Sequence, residues 1–134
     1  MHQEGEQKMK ACCIPLVTLC MLLLFSILTN RYVQDSCTYW ISELEVISTL
    51  VDSAQWEYAA DHTQSILQDW QHHGSIFHML LEHQDLDEAE NLFYATLASI
   101  RTENIAEAQI NIYLLISQLR FIASTQEAAL ENFL

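Results

Sequence analysis

The sequence predicts an all-α protein: an N-terminal transmembrane helix followed by an antiparallel four-helix-type bundle with a short C-terminal helix. Three observations predict it. The 134 residues hold two glycines and one proline, too few for a fold rich in tight turns or strands, and 51% are hydrophobic, enough for the core of one small domain. Ala11 to Leu28 is a run without a charge. Beyond that run, apolar residues recur at alternating spacings of three and four, the period of one helical face.

The first element is the apolar run. Its 18 residues span about 27 Å as a helix, close to the bilayer hydrocarbon thickness of about 30 Å. Pro15 falls near its start, where a missing amide donor is tolerated. Lys8 and Lys10 precede the run and Arg31 follows it, so the excess of basic residues puts the N-terminal flank in the cytoplasm. The chain thus divides into a cytoplasmic tail at 1–10, a transmembrane anchor at 11–30 and an acidic extracytoplasmic helical domain at 31–134. A cleaved signal peptide would carry a shorter apolar stretch and a small-x-small site, whereas this run ends SILTNRYVQD. A lipoprotein signal at Cys20 is disfavoured by the bulky Leu19 before it. The expectation is a single-pass signal-anchor at the cell membrane. Cys12, Cys13 and Cys20 lie in the run as small hydrophobes, and Cys37 alone lies outside, leaving only a bridge between chains as a disulfide option.

The bundle follows. Val33, Cys37, Trp40, Leu44, Ile47 and Val51 form one stripe, and with no Gly or Pro between that helix grows straight out of the anchor. Trp56, Ala59, Ala60, Thr63, Ile66, Leu67 and Trp70 mark a second helix that Gly74 ends. A third starts at Ser75 with Ile76, Phe77, Met79, Leu80 and Leu81 and resumes with Leu86, Ala89, Phe93, Thr96 and Ile100. The fourth carries Ile105, Ala108, Ile112, Leu115, Leu119 and Ile122, widened by Ile110, Tyr113, Leu114, Ile116 and Phe121, so it should be the most enclosed. A short helix from Gln126 to Leu134 closes the chain. Capping signatures stand at Asp52-x-x-Gln55, Asp85-x-x-Glu88, Asn104-x-x-Glu107 and Ser124-x-x-Glu127, each where a stripe begins. Trp56 to Ala59 and Ile105 to Ala108 echo each other 49 residues apart. Two hairpins explain the echo more simply than a helical solenoid does.

Charge narrows the function. Asp plus Glu number 18 against 5 Lys plus Arg, a formal −13. Beyond Arg31 there are 16 acids and two bases, Arg101 and Arg120, leaving −14. Such a field repels phosphate backbones, so nucleic acid is excluded as a partner, and cations or basic proteins are the electrostatic matches. No phosphate loop, nucleophile elbow or HExxH motif is present. No cofactor is expected, and the protein reads as a non-enzyme.

The stretch HMLLEHQDLDEAE, His78 to Glu90, concentrates the polar chemistry. Should it hold a cation, the candidate ligands are His78 with Glu82 and His83 with Asp87, each pair four apart. A helix cap at Asp85 would break the second pair. The simpler reading is a helix junction, with Asp85, Asp87, Glu88 and Glu90 favoured at a helix start and His83 at a helix end. A hydrolase using Asp85 and Asp87 is the least supported reading. His72 and His73 read as a solvated helix end, Trp40, Trp56 and Trp70 as core, and His62 has no partner assignable from sequence.

Trp56 with Ala59, Trp70, His83-Gln84-Asp85-Leu86-Asp87 and Leu130-Glu131-Asn132-Phe133-Leu134 follow one another in order along the chain. The chain thereby resembles the uncharacterised bacterial membrane-protein family named domain of unknown function 4363. That family has a Trp-x-x-Ala helix start, a second tryptophan two heptads on, a His-x-Glu-Ile-Asp junction and a Leu-Glu-Asn-Ile-Leu end. Asp85, Leu86 and Phe133 depart mildly from the pattern. The resemblance implies the same architecture and no particular activity, and it points to the junction and tail as contacts beyond the bundle. The expected function is a membrane-anchored helical interaction or accessory protein whose partner is another membrane protein or a second copy. The alternative is a cation- or pH-responsive sensor built on His78 to Asp87.

Overall fold

The computed structural model describes residues 2–133. Four helices account for nearly all of them: α1 His2–Asp52, α2 Trp56–Leu80, α3 His83–Arg101 and α4 Ile105–Phe133, with no strand among the described residues. The helices pack in a ring, α1 against α2 and α4, α3 against α2 and α4.

The first helix has two lives. In its N-terminal half, every side chain from Glu4 to Leu22 is exposed. Ile14, Leu19, Leu22 and Phe25 are each more than half exposed, and within it lies the one stretch among the described residues long and apolar enough to cross a membrane. Pro15 lies inside this helix rather than near its start, because helical structure begins at His2. The carbonyl of Ala11 therefore receives no amide from it. From Val33 onward the same helix is a wall of the bundle. Val33, Cys37, Trp40, Leu44, Ile47 and Val51 are all essentially fully buried, and they form the stripe expected from their spacing. Cys37 is 1% exposed, so its sulfur is not presented to another chain in this fold, and the same burial pushes its thiol up to about 12.

Both outer turns reverse the chain in the same way. Ala54 (φ 58°) and Glu103 (φ 55°) adopt the left-handed conformation. The amide of Gln55 donates to Leu50 O at 2.9 Å and that of Asn104 to Ser99 O at 3.1 Å, with Ala54 and Glu103 donating three residues back at 3.0 Å each. These are two Schellman turns. They lie 49 residues apart, so the echo seen in the sequence is a repeated hairpin corner.

Helix boundaries differ from the expected ones at four places. Gly74 does not end α2, which continues to Leu80 and buries Phe77 one heptad after Trp70. A helical glycine costs only about 1 kcal/mol relative to alanine, less than Phe77 gains by burial. Nothing lies within 4 Å of a Cβ built at Gly74. Gly74→Ala is therefore expected to raise stability by about 1 kcal/mol, read by thermal unfolding; a lower melting temperature would show that the position needs glycine. Asp52 is the last residue of α1, not a cap of α2, and its carboxylate accepts a hydrogen bond from Gln109 at 2.8 Å. Asp85 lies inside α3, which starts at His83 with Glu82 at the cap position and no side-chain cap bond. Ser124 does not start a new helix. Its hydroxyl donates to Phe121 O at 3.0 Å within an unbroken α4, so there is no separate short C-terminal helix. Only the Asn104 cap forms, with Oδ1 accepting from the Glu107 amide at 3.1 Å. A Ser-x-x-Glu spacing on a helix surface stops nothing without a residue that turns the backbone.

The fourth helix is less enclosed than its composition implies. Ala108, Ile112, Leu115, Leu119 and Ile122 are buried, yet Ile110 (59%), Tyr113 (68%), Leu114 (44%) and Phe121 (51%) are exposed, Ile105 is exposed and Ile116 half-buried. In a ring of four, each helix has two neighbours, so a helix apolar around most of its circumference must turn some of that surface outward.

Candidate functional site

The direction of α1 orients everything else. Tyr32 meets Phe77 with ring centroids 5.7 Å apart, and the Gln34 amide donates to Ala123 O at 2.6 Å. The end of the bundle next to the apolar half of α1 is thus built from the last turns of α2, the α2–α3 corner and the C-terminal part of α4. The two Schellman turns lie at the far end.

Just inside the near end sits an aromatic cluster. Trp40 is fully buried and packs edge-on against Trp70 (5.2 Å), Phe77 (5.6 Å) and His73 (5.7 Å). Trp70 reaches on to Phe93 at 5.4 Å. The Trp40 indole donates to Asp69 at 2.8 Å, which satisfies its one polar atom. Trp40 and Trp70 are core, as expected, and Trp56 is half-buried against it. His73 is half-buried and bonds through Nδ1 to Asp69 O at 2.8 Å rather than standing as a solvated end, whereas His72 is exposed. His62, without a partner in the sequence reading, pairs with Glu43 and links α2 to α1. A sequence gives no warning of such a pair, because its members lie 19 residues apart on different helices.

The α2–α3 corner is two residues wide. Leu81 (φ −124°, ψ 161°) and Glu82 (φ −68°, ψ 134°) are extended and reverse the chain. This folds His78, in the last turn of α2, onto His83, the first residue of α3. Their Nδ1 atoms are 2.8 Å apart and their ring centroids 4.9 Å. One ring must donate and the other accept, so the contact requires at least one neutral imidazole. The expected ligand pairings change accordingly. Glu82 lies outside α2 and is no longer one turn from His78, while His83 and Asp87 do share α3. No group of three or more His, Cys, Asp or Glu that could hold a metal ion occurs among the described residues. His83, Asp87, Glu131 and Asn132 are exposed, Asp85 is half-buried and Ala59 is buried. The side chain of Leu130 and the whole of Leu134 lie outside the described residues.

Amides on α4 hold this corner, a role the sequence did not announce. Gln126 donates to Leu80 O at 3.2 Å, a carbonyl that the end of α2 leaves free, and Gln118 donates to Asp85 O at 3.0 Å in the first turn of α3. Away from the corner, Asn111 donates to Ala95 O at 3.2 Å on α3 and Gln109 to Ser48 O at 2.9 Å on α1. Their recurrence at 109, 111, 118 and 126, flanking the α4 stripe, is the signal that could have found them.

Two surfaces therefore stand out: the outward face of α4 and the near-end corner. Between Glu107 and Glu127 the only charged residue of α4 is Arg120. The exposed Ile110, Tyr113, Leu114 and Phe121 thus sit in the least acidic part of an acidic domain. Among comparisons with known proteins, a family model described as Domain of unknown function (DUF4363) matches residues 27–133. No curated protein and no solved structure matches.

Proposed function

This chain belongs to the Domain of unknown function (DUF4363) family, and we propose that it is a single-pass membrane protein, N-terminus cytoplasmic and bundle extracytoplasmic, serving as a non-enzymatic docking or accessory subunit for another membrane protein. The observation that carries this reading is the outward face of α4. Ile110, Tyr113, Leu114 and Phe121 form an apolar strip too exposed to serve the core. Contiguous exposed apolar surface of that kind marks an interaction site. The strip runs along a helix antiparallel to α1, toward the end nearest the apolar run, so it presents itself to a neighbour held in the same bilayer. Anchoring both partners raises their effective concentration and lets a modest strip suffice.

The test places a photo-crosslinking amino acid at Tyr113 of the full-length chain in its native membrane, with Tyr58 as a control on the opposite hairpin. Adducts with a second membrane protein at 113 and not at 58 support docking. Adducts only with another copy of the chain would replace it with an oligomeric role, and none at either position would reject the face.

A second reading, a pH-responsive element, is favoured by the His78–His83 contact alone. Protonating both rings would place two charges side by side and open the corner. The melting temperature of the full-length chain should then depend on pH through this contact and lose that part of its dependence in His83→Gln; an identical pH dependence in both would remove this reading.

A further inference from the structure

The last turns of the apolar run and the end of α2 share an exposed apolar groove. Phe25 and Leu28 on α1 line it with Ile76, Met79 and Leu80 on α2. Met79 is 86% exposed, the most of any large hydrophobic residue described, and Phe25, Leu28 and Ile76 are 63%, 57% and 48% exposed. None of these residues is needed by the bundle core, which on α2 stops at Phe77.

We infer that the α2–α3 corner is a second membrane contact, lying in the lipid surface with Met79 and Ile76 in the acyl-chain boundary beside Phe25 and Leu28. The inference rests on the proposed anchoring and follows from length. The uncharged run of 18 residues covers about 27 Å against a hydrocarbon core of about 30 Å, so the bilayer has no slack to leave Phe25 and Leu28 uncovered. Whatever lipid covers those two residues also meets Ile76 and Met79, because the four line one groove. Arg31, one turn beyond Leu28 and exposed, then stands at headgroup level, where basic side chains are favoured.

Charge specifies the lipid. Glu82, Asp85 and Asp87 flank the corner, so anionic headgroups are repelled and the contact is hydrophobic, with zwitterionic lipid as its match. Seating the corner also fixes the tilt of the bundle on the membrane. A single helical anchor would leave it free to rotate, whereas a second contact would set the direction in which the α4 strip faces.

The experiment uses the full-length chain in phosphatidylcholine vesicles containing lipids with a doxyl quencher high on the acyl chain. Cys12, Cys13 and Cys20 are replaced by alanine, and the buried Cys37 is kept. A fluorophore is attached in turn to Met79→Cys, to Tyr58→Cys at the far end and to Met21→Cys inside the run. Quenching at 79 comparable to that at 21, and severalfold greater than at 58, is the expected result. Quenching at 21 with 79 no higher than 58 would overturn the corner contact while leaving the anchor intact. No quenching at 21 would overturn the anchor and the corner together. Both Met79 and Tyr58 are well exposed, so neither label disturbs the fold.

Discussion

Replacing Trp40 with alanine is expected to destabilise the bundle by about 3–5 kcal/mol. A loss of that size moves the melting temperature of a domain of this size by tens of degrees. The side chain is fully buried, three aromatic rings pack against it within 6 Å, and its indole nitrogen is satisfied by Asp69 at 2.8 Å. Removing it leaves a cavity where α1 and α2 meet, bounded by Trp70, His73 and Phe77, none of which can collapse into the space without leaving its own partners. Two companions separate packing from hydrogen bonding. Trp40→Phe keeps most of the ring contact and is expected to cost about 1–2 kcal/mol. Asp69→Ala leaves a buried indole N–H without an acceptor, at about 1–3 kcal/mol. Unfolding followed by circular dichroism measures all three, and a loss below about 1 kcal/mol for Trp40→Ala would mean that the cluster is not the keystone of the α1–α2 contact.

The second large effect concerns binding rather than stability. Ile110→Asp combined with Phe121→Asp should abolish crosslinking from Tyr113 while changing stability by no more than about 1 kcal/mol, the scale of substitutions on an exposed surface. Leu115→Asp, one turn from Ile112 on the buried face of the same helix, should instead unfold the bundle, because it buries a carboxylate with nothing to pair it. That contrast is the signature of a helix with two apolar faces, one spent on the core and one facing outward. Persistent crosslinking in the double variant would show that the outward face is not where the partner sits.

Much of the architecture was legible because the core stripes are regular. All six stripe positions on α1 are buried, as are Leu86, Ala89, Phe93, Thr96 and Ile100 on α3. Periodicity reports which residues share a face, not how many neighbours a helix has, so Ile110, Tyr113, Leu114 and Phe121 read as enclosed when they are exposed. Gly74 and Ser124 misled for a related reason. A weak helix former and a cap-like spacing are both tolerated inside a helix once nearby tertiary burial, Trp70 and Phe77 on either side of Gly74 and Leu119 with Ile122 just before Ser124, holds the backbone. The real turns use Ala54 and Glu103 in the left-handed conformation, and neither residue type advertises it.

The candidate site was legible in place more than in detail. His78 and His83 were singled out, but their contact depends on the extended pair Leu81 and Glu82, which bring together residues five apart that no single helix would align. Gln118 and Gln126, which secure the corner from α4, gain meaning only when α4 lies beside it. Exposure of Met79 became informative once Phe25 and Leu28 were seen to share its groove.

Protease added to intact cells tests most directly whether an acidic helical bundle projects from the membrane on an apolar N-terminal anchor. With an epitope tag at each end, the C-terminal tag should be lost on digestion while the N-terminal tag survives in the membrane fraction, protected by the bilayer. A mature chain recovered in the soluble fraction, or a C-terminal tag that resists digestion until the cells are broken, would contradict the anchored, outward-facing arrangement on which docking through α4 and seating of the α2–α3 corner both depend.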